Sequence, residues 1–474
     1  MQDVLNFISD LLWGSVLIYL LLGAGIWFTL SSGFIQFRYF HHVIRNLKKS
    51  LIPAPDGITA FQALCTSLAA RVGSGNLAGV ALAITVGGPG AVFWMWVTGI
   101  IGMATSFAEC TLAQLYKGRD QQGNFRGGPA WYMERGLGMR WMGIMFAIFL
   151  LFGFGMAFNA VQAKAIANAF RHAFAIPELA TGIVLMLLTG IVIAGGLKLV
   201  ARTAQWLVPV MSLLWVSISA ILMVMHFDQI PGILLVIVKS AFGWHEVATG
   251  AMSYTLGQAI TIGFQRGMFS NEAGLGSAPN AAAAASSWPP HPVSQGIVQM
   301  IGVFIDTIVI CSATAAVILL SGLASPGSAQ GTVLAQQSLS LLAGEWASAF
   351  IAAIVFLFAF TSIIANYAYA ENNLVFLRQN TPGKIRLLRA MVLLTVLLGA
   401  LGSLTLIWQF TDIVMALMAV TNLTAILLLS PIVKDLAADY RRQRRLGLAP
   451  VFDPDRFPQL SGQLVPGVWK APES

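Results

Sequence analysis

The sequence predicts an all-α polytopic membrane protein. Its eleven transmembrane helices divide into one N-terminal helix and a five-plus-five inverted-repeat core containing two broken helices. Three observations predict this. Of 474 residues, 57% are hydrophobic and only 10% charged, with a mean hydropathy of +0.76, whereas soluble chains carry about 25% charged residues. Apolar stretches of roughly 20 residues, the length that crosses a bilayer, recur along the chain. Two of them, in corresponding places, are interrupted by glycine and polar residues where a spanning helix should be unbroken.

The apolar stretches run at 11–33, 58–87, 90–116, 140–172, 178–197, 203–227, 249–286, 294–322, 345–377, 386–403 and 405–433. Those at 58–87, 249–286 and 345–377 are too long for a simple straight span. Basic residues fix the orientation. Arg38, Arg45, Lys48 and Lys49 follow the first span, Lys117, Arg119, Arg126, Arg135 and Arg140 the third, and Lys198 and Arg202 the fifth. Arg378, Lys384, Arg386 and Arg389 attend the ninth and tenth, and Lys434, Arg441, Arg442, Arg444 and Arg445 lie in the tail. With eleven spans all of these fall on one side, and only Arg171 and Lys239 on the other. The N-terminus is therefore predicted outside and the C-terminus in the cytoplasm. The loop Ser286–Pro292, with only His291, gives the rule little to work on.

Between the spans, Gly127–Gly136 predicts a short interfacial helix with Trp131 and Tyr132 at headgroup level. Segments 229–242 and 330–344 predict short helices on the outer face, and the tail beyond Pro450 an irregular path. The chain divides into 1–57 (first helix and basic connection), 58–435 (ten-helix core, halves 58–227 and 249–433) and 436–474 (cytoplasmic tail). An odd number of spans per half inverts the second half relative to the first.

Each half opens on an interruption. The first reads Val72-Gly73-Ser74-Gly75-Asn76 and the second runs from Gly267 to Pro279. Lipid offers backbone no hydrogen-bond partners, so a helix can break at membrane depth only where protein or a watery cavity satisfies it. Matched interruptions of this kind point to a transporter binding site. A half-helix that begins there aims unpaired N–H groups at the cavity and suits a carboxylate. One that ends there aims carbonyls and suits Na⁺ or an ammonium group. Gly73 and Gly75 allow close backbone approach, and Phe269 is a candidate roof. Ser74, Asn76, Ser270, Asn271 and Gly274 complete the polar surround.

Other readings are limited by composition. The cysteines Cys65, Cys110 and Cys311 lie in apolar segments and read as small buried hydrophobes. The N-terminus lacks the basic region of a cleaved signal peptide. No nucleophile–base pair or metal cluster predicts an enzyme. No soluble domain is large enough to carry a nucleic-acid face. The partners predicted are the bilayer and a small ligand, with a single chain as the working unit. Charges near membrane depth are Arg71, Glu109, Arg266, Glu272, Asp306, Glu371 and Asp412, and such charges tend to be paired or functional. Arg71 and Arg266 stand beside the two interruptions and predict ion pairs with Glu272 or Glu371. Asp306 is the best lone-carboxylate candidate for a second cation or proton, although a hydrogen bond to a neighbouring helix is the commoner role.

Three blocks carry a family resemblance. The first is Gly73–Val80, continuing through Gly87-Gly88-Pro89-Gly90-Ala91-Val92-Phe93-Trp94-Met95-Trp96 to Gly102–Thr105 and Glu109. The second is Arg126-Gly127-Gly128-Pro129-Ala130-Trp131-Tyr132, and the third is Phe269–Pro279. With these blocks the chain resembles the alanine or glycine:cation symporters, also called sodium:alanine symporters. The resemblance implies a leucine-transporter-like fold and Na⁺-coupled uptake of small neutral amino acids, such as alanine or glycine, across a bacterial inner membrane. Na⁺ is then the coupling ion, with no organic cofactor. It also implies a sodium site made by Thr361 and Ser362 with carbonyls between Ala69 and Ser74, Ala70 and Gly73 among them. Gln162 takes the family's polar position facing substrate. Ile363–Asn373 departs from the Gly-Trp-containing stretch of many members, so this wall of the pocket differs. Alternatives are a proton-coupled or facilitative carrier and, further off, a channel or a transporter-like sensor.

Overall fold

The computed structural model describes residues 11–40, 57–244, 256–324 and 331–469, and the chain there is mostly helical. Arg45, Lys48 and Lys49, and the start of the 249–286 stretch, lie outside the described residues. The helices are α1 (Ile18–Ser31), α2 (Ala60–Arg71), α3 (Ala78–Gly87), α4 (Gly90–Leu115), α5 (Pro129–Arg135), α6 (Arg140–Phe174), α7 (Glu178–Ala194) and α8 (Gly196–Met225). They continue as α9 (Ile230–Ala241), α10 (Leu256–Asn271), α11 (Ala278–Ala284), α12 (Pro292–Ser321), α13 (Thr332–Ala343), α14 (Trp346–Phe376), α15 (Pro382–Leu401), α16 (Leu404–Leu428) and α17 (Ser430–Arg445). Two-residue strands Ile58–Thr59 (β1) and Ala285–Ser286 (β4) pair in parallel. Gly118–Arg119 (β2) and Phe125–Arg126 (β3) pair antiparallel.

Six of these helices are long and apolar enough to cross a membrane, or seven when α2 and α3, bent by 59° at their break, count as one. The other stretches expected to span fall short for visible reasons. The Glu178–Ala194 helix has 17 residues, α10 and α11 are separated by a break, and α15 opens on Lys384, Arg386 and Arg389. The large apolar side chains that remain exposed, such as Ile191, Trp206 and Leu213, point outward, while polar residues such as Asn76, Glu109, Asp306 and Asn366 are buried. That inversion of a soluble protein's arrangement suits lipid as the surrounding solvent.

The first break follows from its sequence. Thr59 and Gln62 form a capping box that starts α2. The helix stops at Val72, the chain extends at Gly73, and one 3₁₀ turn at Ser74–Asn76 leads into α3. The second break uses left-handed backbone at Glu272, Gly274 and Gly276, which glycine adopts at no steric cost. The two broken helices lie antiparallel, with α2 packed on α11 and α3 on α10.

The stretch 345–377, expected to be too long for a simple straight span, is one continuous helix of 31 residues. It contains neither Gly nor Pro, and at about 1.5 Å per residue it simply outruns a bilayer of about 30 Å. The short helices expected at 229–242 and 330–344 are present as α9 and α13.

The loops bearing most of the basic residues come together at one end of the bundle. Arg126, Lys198 and Arg389 line one cavity of about 290 Å³ there, with Glu371 among them. The short helix expected in Gly127–Gly136 is α5, but Trp131 and Tyr132 are buried rather than at the surface. Trp131 packs edge-on against Phe376, and the Tyr132 hydroxyl donates to Asn422. The tail is irregular as expected, yet docked across this end. The Phe452 N–H donates to Pro290 O at 2.9 Å, and Trp469 Nε1 donates to Leu115 O at 3.2 Å. His291 Nε2 lies 3.5 Å from Asp439. Burial lowers the affinity of His291 for a proton. Burial opposes ionisation of Asp439 as well, but hydrogen bonds from His291, Gln443 and Arg442 prevail and hold its carboxyl down at about 2.

Candidate functional site

The two breaks face each other with α6, α12 and α14 closing the sides, and the residues at both are buried. At the first break, the Gly73 N–H is taken by Asn76 Oδ1 at 3.0 Å and the Ser74 N–H by Gln162 Oε1 at 2.8 Å. Gly73 has no room for a side chain, since a Cβ would come 2.5 Å from Ser362 Oγ and 2.9 Å from the Gln162 amide. A Cβ on Gly75 would sit 2.9 Å from the Phe269 ring. Phe269 stacks on Phe158 at 4.9 Å and leans on Trp408 at 4.6 Å. It therefore forms the middle of an aromatic lid directly over Gly75.

Asp306 joins the breaks. Its Oδ1 accepts from Asn76 Nδ2 at 2.7 Å, and its Oδ2 accepts from the Ser270 hydroxyl at 2.8 Å and from the Thr307 hydroxyl at 2.9 Å. Cys311, expected as mere packing, lies beside them, 3.3 Å from Asn76 Nδ2 and 3.1 Å from Ser270 Oγ. Asn271 Oδ1 accepts from the Ala273 N–H at 3.0 Å. Among the described residues, the Asn271 amide nitrogen and the Ser74 hydroxyl are buried with no protein partner.

Of the adjacent hydroxyls on α14, one faces the first break. Ser362 Oγ lies 2.8 Å from Ala69 O, 3.2 Å from Ala70 O and 3.0 Å from Phe358 O. A hydroxyl has one proton to give, so this corner holds four oxygens and a single hydrogen. Thr361 points elsewhere, bonding back to Phe358 O at 3.0 Å and touching Met211 Sδ at 3.6 Å. A threonine in a spanning helix commonly bonds back one turn in this way.

Several expected partners are corrected. Gly274 does not offer its backbone to a ligand: its N–H donates to Glu109 Oε1 at 3.3 Å and its carbonyl accepts from Asn422 Nδ2 at 2.9 Å. Arg71 pairs with neither Glu272 nor Glu371. Its guanidinium donates to Gln299 O at 3.1 Å and to Ser106 Oγ at 3.0 Å, and no ion-pair partner for it lies among the described residues. Arg266 pairs with Asp412 at 2.6 Å and stands 4.8 Å from the centre of the Trp408 ring. Glu272 accepts from the Ser277 hydroxyl at 2.5 Å and so staples its own break. Glu371 lies at the basic end, where Tyr367 donates to it at 2.6 Å and Arg126 approaches to 3.5 Å. Residue spacing identifies charges at membrane depth. It does not identify which of several carboxylates a helix rotation brings to a given arginine.

Sequence reasoning missed Asn422, an uncharged residue between Thr421 and Thr424 in α16 with no local pattern to mark it. It also left Asn159 and Asn366, joined at 3.0 Å across α6 and α14, without a pairing.

With this geometry established, similarity to known proteins is extensive. The profile of the sodium:alanine symporter family matches residues 1–454. An uncharacterized transporter of Escherichia coli, YaaJ, is 60% identical over 99% of each chain. The probable sodium/glutamine symporter GlnT of Bacillus subtilis is 44% identical, covering 98% of this chain and 95% of its own. The sodium/alanine symporter AgcS of Methanococcus maripaludis is 39% identical, covering 91% and 95%. The chain is therefore a multi-pass membrane transporter and belongs to the sodium:alanine symporter family.

Proposed function

We propose that the protein is a sodium-coupled symporter that carries small neutral amino acids, alanine and glycine foremost, inward across a bacterial cytoplasmic membrane. The single observation that carries the reading is the corner of four oxygens at Ser362. A hard cation prefers oxygen ligands, and Na⁺ there would take the Ala69 and Ala70 carbonyls and Ser362 Oγ. Gly73 forms the adjoining wall, and Thr361 contributes by position only. The substrate carboxylate meets the amides and the free hydroxyl of Gly73–Gly75, displacing Gln162, while Asn271 offers its unpartnered amide. Gly75 lies directly against the Phe269 ring, so on this reading a ligand side chain seated there must be small.

On this reading the basic end is cytoplasmic, the five-plus-five core moves as two halves, and one chain suffices. Arg266–Asp412 and Arg126–Glu371 close the opposite ends. One charge crossing about 100 mV gains roughly 2.3 kcal/mol, and a tenfold Na⁺ gradient adds about 1.4 kcal/mol. Together one ion sustains roughly a 500-fold substrate gradient.

Purified protein in liposomes tests the proposal. Labelled alanine should accumulate under an inward Na⁺ gradient and not when choline replaces sodium. Equal uptake in both buffers without a pH gradient overturns it. Asp306, a carboxylate tied to both breaks, favours a second reading in which a proton is the coupling ion. That reading requires uptake driven by a pH gradient alone.

A further inference from the structure

We infer that Glu109 is a positioning residue: a resident carboxylate that fills the second break and so leaves only the first break to receive the carboxylate of a substrate. The inference rests on the amino-acid reading above.

The two breaks look alike in sequence and differ in what already occupies them. At the first, the acceptors are all neutral: the Gly73 N–H is shared between Arg71 O at 2.9 Å and Asn76 Oδ1 at 3.0 Å, and the Ser74 N–H goes to Gln162 Oε1. A ligand carboxylate outbids a neutral acceptor, because hydrogen bonds to an ionised group are about twice as strong. At the second, left-handed backbone at Glu272, Gly274 and Gly276 alternates with right-handed or extended residues. Successive amides in such a run form a concavity that attracts anions. That concavity is filled by the protein itself. Glu109 Oε1 accepts the Gly274 N–H at 3.3 Å and Oε2 the Gly276 N–H at 3.2 Å.

Two further residues hold the carboxylate in place. Asn422 Nδ2 bridges Glu109 Oε2 at 2.8 Å and Gly274 O at 2.9 Å, and the Tyr132 hydroxyl donates to Asn422 Oδ1. The helix that carries Glu109 also grips the first break, because Ser106, one turn earlier, accepts from Arg71 at 3.0 Å. The helix α4 therefore fixes the spacing of both breaks while making them electrically unequal. A zwitterion placed between them turns its carboxylate to the first break and its ammonium to the second, where like charge repels a carboxylate.

The test compares wild type with Glu109→Ala, Glu109→Gln and Tyr132→Phe. Binding of alanine and aspartate to purified protein is measured by calorimetry, and Na⁺-dependent uptake in liposomes. Glu109→Ala should weaken alanine binding about tenfold, Glu109→Gln less, and Tyr132→Phe least, all in the same direction. The Na⁺ concentration for half-maximal uptake should stay within about twofold. In Glu109→Ala aspartate, whose second carboxylate can use the vacated amides, should displace alanine more effectively than from wild type, and in Glu109→Gln, where only a neutral amide oxygen competes, by a smaller margin. A merely structural lesion would not produce that gain. Unchanged alanine and aspartate binding in the Glu109 variants, or an equal loss of alanine and Na⁺ affinity, overturns the inference. If Glu109→Ala does not fold, Glu109→Gln and Tyr132→Phe decide the matter by the same measures. Wild-type protein that binds alanine but accumulates none would defeat the symport reading while leaving this binding test intact.

Discussion

At the scale of single residues, two hydroxyls adjacent in sequence have different duties. Thr361 and Ser362 are about 100° apart around α14, and only Ser362 reaches the Ala69 and Ala70 carbonyls. Ser362→Ala should raise the Na⁺ concentration for half-maximal uptake by about tenfold or more, the weight of one lost ligand oxygen at roughly 1.4 kcal/mol. Thr361→Ala should leave it near wild type, and a sodium titration of alanine uptake checks both. Gly75→Val drives a branched side chain into Phe269, already within 2.9 Å of a bare Cβ. Alanine binding should be lost while the variant remains inserted and monodisperse, as calorimetry and gel filtration would record. The buried pair Arg266–Asp412 makes a third case. Arg266→Met strands a carboxylate and should cost about 3–5 kcal/mol, whereas the double change Arg266→Met with Asp412→Leu should recover most of that. Thermal unfolding of the two variants in detergent measures the difference.

At the scale of elements, the breaks in the helices were legible and their partners were not. Gly73, Gly75, Gly274 and Gly276 mark interruptions because they relax the backbone where lipid permits no unpaired amide. The third over-long stretch, 345–377, has neither glycine nor proline and stays one unbroken helix. The closure of the basic end is also an element-level property. The parallel pairing of β1 with β4 brings the start of α2 against the end of α11, and Arg126 bridges from β3 to Glu371 on α14. Arg126→Met should loosen this end. Labelling of an Ala284→Cys probe by a membrane-impermeant thiol reagent from the basic side should then speed up several-fold.

At the scale of the whole molecule, the tail and the α4–β2 turn form one joint. Lys117 is buried there, its Nζ donating to Gln114 Oε1 at 2.9 Å and Ala285 O at 3.0 Å, with the Phe125 ring at 4.0 Å and the Trp469 ring at 4.9 Å. Burial, reinforced by the charge of Arg119, brings its ammonium down from 10.5 to about 7. The unfolded chain therefore binds more protons than the folded one between those values, so stability rises with pH across that window. Lys117→Met should remove the rise between pH 7 and pH 10, measured as the change of the unfolding midpoint with pH relative to wild type.

The sequence by itself determined that the chain crosses a membrane several times, which end gathers the basic residues, and where two helices break. Each of these depends on local properties: apolar length, charge position, and the conformational freedom of glycine. Tertiary structure alone decided that Arg266 faces Asp412, that Glu109 and Asn422 occupy the second break, and that Ser362 rather than Thr361 meets the first. Those pairings depend on the rotation and depth of helices packed tens to hundreds of residues apart, and no period or spacing within one helix encodes them.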